Sequence, residues 1–237
     1  MVDLAESTGF YLHTWQLAWS ISHFLDKQLH WHEWVASQHA ALRAAEHLED
    51  RAGQAHAHRY LGDAAVQVGH CDGGREHLTT ALDLYRGLNH DSGQALTYHS
   101  LSLLAARQGD HHQAVADKRH ALSLFGRIGN RPGEAGVLNG IGWELVQLDQ
   151  FNEALTYCEQ GLAISQESGD YHLVADTWDS VGNINYRLGH AQQALICYRE
   201  ALDRFRALGD CGGEVETLEH IGDIHHKESD TAAAADS

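Results

Sequence analysis

Proline is almost missing from this chain, one residue in 237, so its helices must be interrupted by glycine and polar turn residues instead. Cysteine is sparse as well. Cys71, Cys158, Cys197 and Cys211 stand singly with no CxxC pair, which excludes a zinc ribbon and a dense disulfide framework and suits free thiols in a reducing compartment. Basic residues are few, 16 Lys and Arg against 33 Asp and Glu, and a formal charge of -17 repels phosphate backbones and anionic lipid. Neither direct nucleic-acid binding nor membrane binding is therefore expected; a basic partner surface is. No apolar run approaches the roughly eighteen residues of a membrane span, and the opening "MVDLAESTGF" has no basic-then-apolar signal pattern, so a cytoplasmic location is expected. A GxxxxGK[ST] phosphate loop, a nucleophile elbow and an HExxH helix are also missing. No catalytic residue, cofactor or metal site is expected, and the chain reads as a non-enzyme.

Histidine is what is plentiful, with 20 residues. The stretch His30 to His39, "HWHEWVASQH", looks like a metal centre at first sight, but His32 lacks a partner histidine at Ala36. Trp31 and Trp34 read as packing residues closing the end of the molecule, and His32 and His39 as a solvated face. The clusters His56 with His58, His111 with His112, and His220 with His225 and His226 read as polar face residues, since adjacent helical residues point about 100° apart. A pH-sensing role is a weaker alternative.

Self-similarity at 40 residues organises the rest. "YHSLSLLAARQGDHHQAVADKRHAL" from Tyr98, "LNGIGWELVQLDQFNEALTYCEQGL" from Leu138 and "WDSVGNINYRLGHAQQALICYREAL" from Trp178 align without a gap. Small residues recur at Ser22, Gly62, Ser102, Gly142, Gly182 and Gly222, each after an aliphatic residue. Ala41, Ala81, Ala121, Gly161 and Ala201 form a second comb, and Gly74, Ala114, Ala154, Ala194 and Ala234 a third, with Trp34 its one large member. Apolar residues follow helical spacing within each unit, broken midway by Gly69, Gly109 or Gly189. "GNRPGE", "GDYHLV" and "GDCGGE" then supply a left-handed glycine and an N-cap for the next helix. Small residues at the crossings let two helices approach closely.

Trp178, Val181, Gly182, Ala194, Tyr198 and Ala201 carry the W-x2-L-G-x2-Y, A-x3-F, A pattern, which resembles the tetratricopeptide repeat in a 40-residue form. Lys118 in an aromatic slot, Gly74, Gly161 and the missing closing proline depart from it. The resemblance implies an all-α fold, a right-handed superhelical solenoid of antiparallel hairpins over 1–237. Five hairpins would start near 15, 55, 95, 135 and 175, with a truncated sixth from 215. More narrowly, the stretch from Leu12, "LHTWQLAWSISHFLDKQLHWHEWVASQHAALRAAE", with the repeats from Leu138 and Thr177, looks like the C-terminal repeat region of large actinobacterial antibiotic regulatory proteins. No winged helix or nucleotide switch is seen, which suggests a fragment or a shortened relative.

Carried over residue by residue, the family's groove slots are Trp19 and His23, Arg59 and Asp63, His99, Asn139 and Trp143, Asp179 and Asn183, Glu219 and Asp223; one turn further come Arg107 and Arg187, with Tyr186 beside them. The lining grades from aromatic and basic to acidic at Asp176, Asp179, Glu216, Glu219 and Asp223. The expectation is a groove for a protein or peptide segment, such as one from other domains of the same transcriptional regulator of antibiotic biosynthesis, with its basic end toward Asp179 and Glu219. A small signal molecule between Trp143, Asn183 and Tyr186 is the alternative. An uncovered sixth hairpin would allow a homodimer.

Overall fold

From Glu49 onward a residue with positive φ occurs every twenty positions: Glu49, Gly69, Asn89, Gly109, Gly129, Asp149, Gly169, Gly189 and Gly209. Each ends a helix, so the 40-residue repeat is two helices of nearly equal length. The computed structural model describes residues 2, 5, 8–27 and 30–235; of residues 23, 26, 27 and 228–235 it describes the backbone alone. The described helices are α1 (Tyr11–Lys27), α2 (Trp31–His47), α3 (Arg51–Gln67), α4 (Cys71–Gly87), α5 (Asp91–Arg107), α6 (His111–Ile128), α7 (Arg131–Gln147), α8 (Phe151–Ser168), α9 (Tyr171–Arg187), α10 (Ala191–Leu208) and α11 (Cys211–Ala235). No strand occurs among the described residues, and none of their helices is long and apolar enough to cross a membrane.

The first helices of the hairpins begin at Tyr11, Arg51, Asp91, Arg131 and Tyr171, four residues before the starts that the resemblance implies, and capping residues set most of these beginnings. Asp50, Asn130 and Asp170 accept hydrogen bonds from backbone N–H groups of the following turn, and Asp210 does the same for Gly212 and Gly213. His90 fills the equivalent place with a ring nitrogen: its Nδ1 accepts from Gly93 N at 2.9 Å, which requires the proton on Nε2. Asp50 satisfies two donors, Ala52 N at 3.0 Å and Gly53 N at 3.1 Å. Asp50→Ala is expected to cost about 1 kcal/mol. A thermal melt should show it as a fall of about 2–4 °C.

The sixth unit departs from expectation. α11 runs unbroken through residue 229, where the spacing places a turn. Ser229 stands where other turns have glycine, asparagine or an acidic residue, and serine takes up left-handed backbone poorly, so nothing stops the helix. The truncated sixth hairpin is thus a single helix.

The chain divides into two compact units, Met1–Ile128 and Gly129–Ser237. In the first, Val66, Leu78, Leu82, Leu101 and Leu104 form one core cluster, and Ala55, Ala81 and Tyr85 another. In the second, Ala194, Leu195, Tyr198 and Ile224 pack together, as do Ala175, Ala201 and Phe205 with Trp178. The small-residue comb marks helix crossings. A Cβ on Gly62 would lie 2.5 Å from Leu78, and one on Gly182 2.8 Å from Tyr198. Gly222, on the terminal helix, faces nothing within 4 Å.

Candidate functional site

In the N-terminal unit, α3 and α5 present Arg59, Asp63 and His99 to a cavity of about 230 Å³ that also touches Trp34 and Leu103. Arg59, only 9% exposed, is paired with Asp63 at 2.8 Å and lies over the Tyr60 ring at 4.1 Å. Its Nε and the Nδ1 of His99 are buried without a hydrogen-bond partner. Burial, helped by Lys118 and then Arg59, lowers the His99 pKa to about 4, so this imidazole is neutral. Trp34 is 4% exposed with its ring 6.3 Å from Tyr60, so it packs inside the unit against α3.

Two other groove candidates of this unit, Trp19 and Arg107, do not line the cavity. Trp19 is 52% exposed, its ring 6.3 Å from His56. The side chain of His23 lies outside the described residues. Arg107 donates to the carbonyls of Val66 and Gln67 and to Gln67 Oε1, tying the end of α5 to that of α3. It is a structural clamp. Lys118, in its aromatic slot, is 3% exposed and donates to Ser102 Oγ at 3.2 Å.

The histidines are not all solvated face residues. His58 and His77 meet Nδ1 to Nδ1 at 2.9 Å, so one ring donates and the other accepts. Burial, then Arg59, lowers the His56 pKa to about 4; burial, then His77, does the same for His58. Period-40 combs could not reveal the pair, because it joins residues nineteen apart across one hairpin. Among the described residues no group of three His, Cys, Asp or Glu side chains could hold a metal ion.

The C-terminal unit gathers most of the candidates. Trp143 on α7, 38% exposed, lines two cavities. One, of about 340 Å³, has Asn183, Tyr186 and Arg187 of α9, with Tyr198, His220 and Asp223. The other, of about 360 Å³, has Asn139, Asp176, Asp179, Asp210, Glu216 and Thr217. Glu219 is exposed and lines neither. The i, i+4 spacing on α7 and α9 places each pair on one helix face, as the groove slots require.

Asn139 is 8% exposed, and the thiol of Cys158 donates to its Oδ1 at 3.5 Å. Burial, then Glu159, pushes the Cys158 pKa up to about 12, so it remains a thiol and a donor. With Oδ1 engaged from behind, the amide NH2 of Asn139 is left for the cavity. Asp179, also 8% exposed, accepts from Thr217 Oγ1 at 3.0 Å and meets His220 Nδ1 at 3.3 Å. That hydrogen bond raises the His220 pKa more than burial lowers it. At the rim, partial burial and then the nearby Asp210 raise the Asp176 pKa.

His220 is the residue that sequence reasoning missed, having placed it in a polar cluster. Its slot holds the small Ser100, Gly140 and Ser180 in the three preceding units but the large Tyr60 before them, so the register alone gave only a weak signal of a cross-helix contact.

A profile of the tetratricopeptide repeat matches residues 93–167 and 134–207. No curated protein matches the chain by sequence. Among solved structures, BtubC (BKLC) from P. vanneervenii is similar with a TM-score of 0.76, at 18% identity over 88% of each chain. A Rap protein complexed with Competence and Sporulation Factor has a TM-score of 0.75 at 14% identity, covering 94% of this chain and 66% of that one. A signal transduction ATPase with numerous domains and a tetratricopeptide repeat sensor, from Pyrococcus horikoshii, has a TM-score of 0.77 at 14% identity, covering 85% and 31%. The chain therefore spans about two thirds of the Rap protein and under a third of the ATPase. At such identities the likeness concerns the fold. Residues 93–207 carry tetratricopeptide repeats, and the chain has the all-α hairpin fold of that repeat class, whose members are generally non-catalytic interaction modules.

Proposed function

We propose that the chain is a non-catalytic interaction module whose C-terminal unit binds a peptide segment of another protein across Trp143. The observation that carries this reading is the half-exposed indole lining two cavities, with the amides of Asn139 and Asn183 on either side. An indole can anchor an apolar side chain, and an amide can donate to a peptide carbonyl and accept from its N–H. The similarity to a repeat sensor within a larger ATPase supports a regulatory setting. There the unit would sense a partner for a bacterial transcriptional regulator of secondary metabolism, the segment coming from that regulator or from another chain.

Peptides selected from a display library on the whole chain test the reading. Asn139→Ala combined with Asn183→Ala is expected to weaken the selected peptides about tenfold, the loss of one or two net hydrogen bonds. Failure to select any peptide, or equal binding by the double variant, would overturn it. A small metabolite that raises the melting midpoint while displacing no peptide would point to the sensing alternative.

A further inference from the structure

We infer that the cavity bounded by Asn139, Trp143, Asp176, Asp179 and Glu216 receives a cationic side chain, arginine or lysine, of the bound segment. This rests on the peptide reading above and deepens it. Four carboxylates, those of Asp176, Asp179, Asp210 and Glu216, line the cavity, and no lysine or arginine does. Elsewhere in the unit three arginines pair with other carboxylates: Arg131 bridges Glu134 and Glu167, Arg204 pairs with Glu200, and Arg206 with Glu214.

Two further observations point to an organic cation carried on a peptide. Among the described residues no three His, Cys, Asp or Glu side chains are grouped as a metal ion needs, whereas a guanidinium or ammonium with several N–H donors can reach carboxylates set further apart. Asn139 is the second. It is more than nine-tenths buried, its oxygen takes the Cys158 thiol, and its amide nitrogen makes no hydrogen bond among the described residues. An unpaired donor calls for an acceptor, which a cationic side chain lacks and its own backbone carbonyl supplies. One cavity therefore offers acceptors to a side chain and a donor to the main chain that carries it. Trp143 adds an aromatic wall against which a cation can lie.

Asp179 is partly satisfied by Thr217 and His220, and Asp210 by the backbone N–H groups it caps. Asp176 and Glu216 at the exposed rim are the carboxylates most open to a guest.

The test uses the full chain labelled with nitrogen-15 and two capped probes, acetyl-Ala-Arg-Ala-amide and its citrulline twin, which keeps the shape and loses the charge. The arginine probe is expected to shift the Trp143 indole and Asn139 amide resonances, and to bind about tenfold more tightly than the citrulline probe. Asp176→Asn with Glu216→Gln, both rim residues, should remove that preference while leaving the melting temperature unchanged. Equal shifts from both probes would overturn the cation assignment and leave the peptide groove standing. Absence of shifts from either probe would overturn it too, whereas the peptide reading is judged on the library-selected peptides and the asparagine variants. Saturation of the same resonances by calcium alone would reassign the cavity to a metal ion.

Discussion

Lowering the pH from 6.5 toward 4 is expected to destabilise the N-terminal unit steeply. His56, His58 and His99 each have a folded-state pKa lowered from 6.5 to about 4, with burial the largest cause in each case. In the unfolded chain these imidazoles titrate near their ordinary value. Between the two values the unfolded state binds more protons than the folded one, so stability present above 6.5 drains away as the pH falls and is gone near 4. The most enclosed of the three, His99, accounts for on the order of 3 kcal/mol, from a displacement of about two and a half pH units. His56 and His58 are better solvated and contribute less each. Protonation also breaks a specific contact: His58 and His77 cannot both carry Nδ1–H and keep their bond. The C-terminal unit behaves differently. His220 has a raised pKa, so its stabilising pair with Asp179 is fully present below the ordinary histidine value and is lost as the pH rises through the raised one. Chemical denaturation followed at residues of each unit between pH 7.5 and 4.5 should separate the two. His99→Leu should flatten part of the acid limb, and a midpoint of the N-terminal unit that ignores pH would show the account to be wrong.

The difference between the units shows what one sequence can reveal. Repeat length, helix pairing and crossing glycines were legible because each is a property of spacing within the chain. The turns at Gly69, Gly109 and Gly189 and the left-handed glycines Gly129, Gly169 and Gly209 were legible for the same reason, whereas Glu49 in left-handed conformation was not: glutamate has no preference for positive φ, and its place is fixed by turn hydrogen bonds on both sides. Asn139 with Trp143, and Asp179 with Asn183, could be placed on helix faces from i, i+4 spacing alone. What Asp179 touches could not, since Thr217 and His220 lie 38 and 41 residues away and reach it only when α9 and α11 sit side by side. Arg107 was expected to line a groove, and the same limit applies: its length lets it reach back to α3, a choice that residue type and spacing leave open.

Gly93→Ala is expected to cost more than any surface change in the N-terminal unit, although it adds one methyl group. Gly93 lies in the first turn of α5, and a Cβ there would fall well inside van der Waals contact of the Tyr85 ring carbons Cγ, Cδ1 and Cε1. Tyr85 is 1% exposed and packed among Ala55, Ala81 and Leu84, so its ring has no free direction in which to turn. Overpacking of this kind costs about 1–3 kcal/mol, a fall in melting temperature of roughly 2–4 °C per kcal/mol. The gain in helix propensity on replacing glycine, about 1 kcal/mol, works in the opposite direction and is smaller than the upper part of that range. A Cβ on Gly213 would meet the Phe205 ring in the same way, so at both places an aromatic residue of one hairpin presses on the first turn of the next helix. At the equivalent pair in the fourth hairpin the sizes are exchanged: Ser165 replaces the aromatic residue and Leu173 the glycine. That exchange supplies the control. Tyr85→Ser is destabilising by itself through the cavity it leaves, yet Gly93→Leu in the Tyr85→Ser background should recover stability that Gly93→Leu alone loses. A double-mutant cycle measures the coupling, expected to be at least about 1 kcal/mol in favour of the exchanged pair. Simple additivity of the two substitutions would mean that the ring and the glycine do not constrain one another.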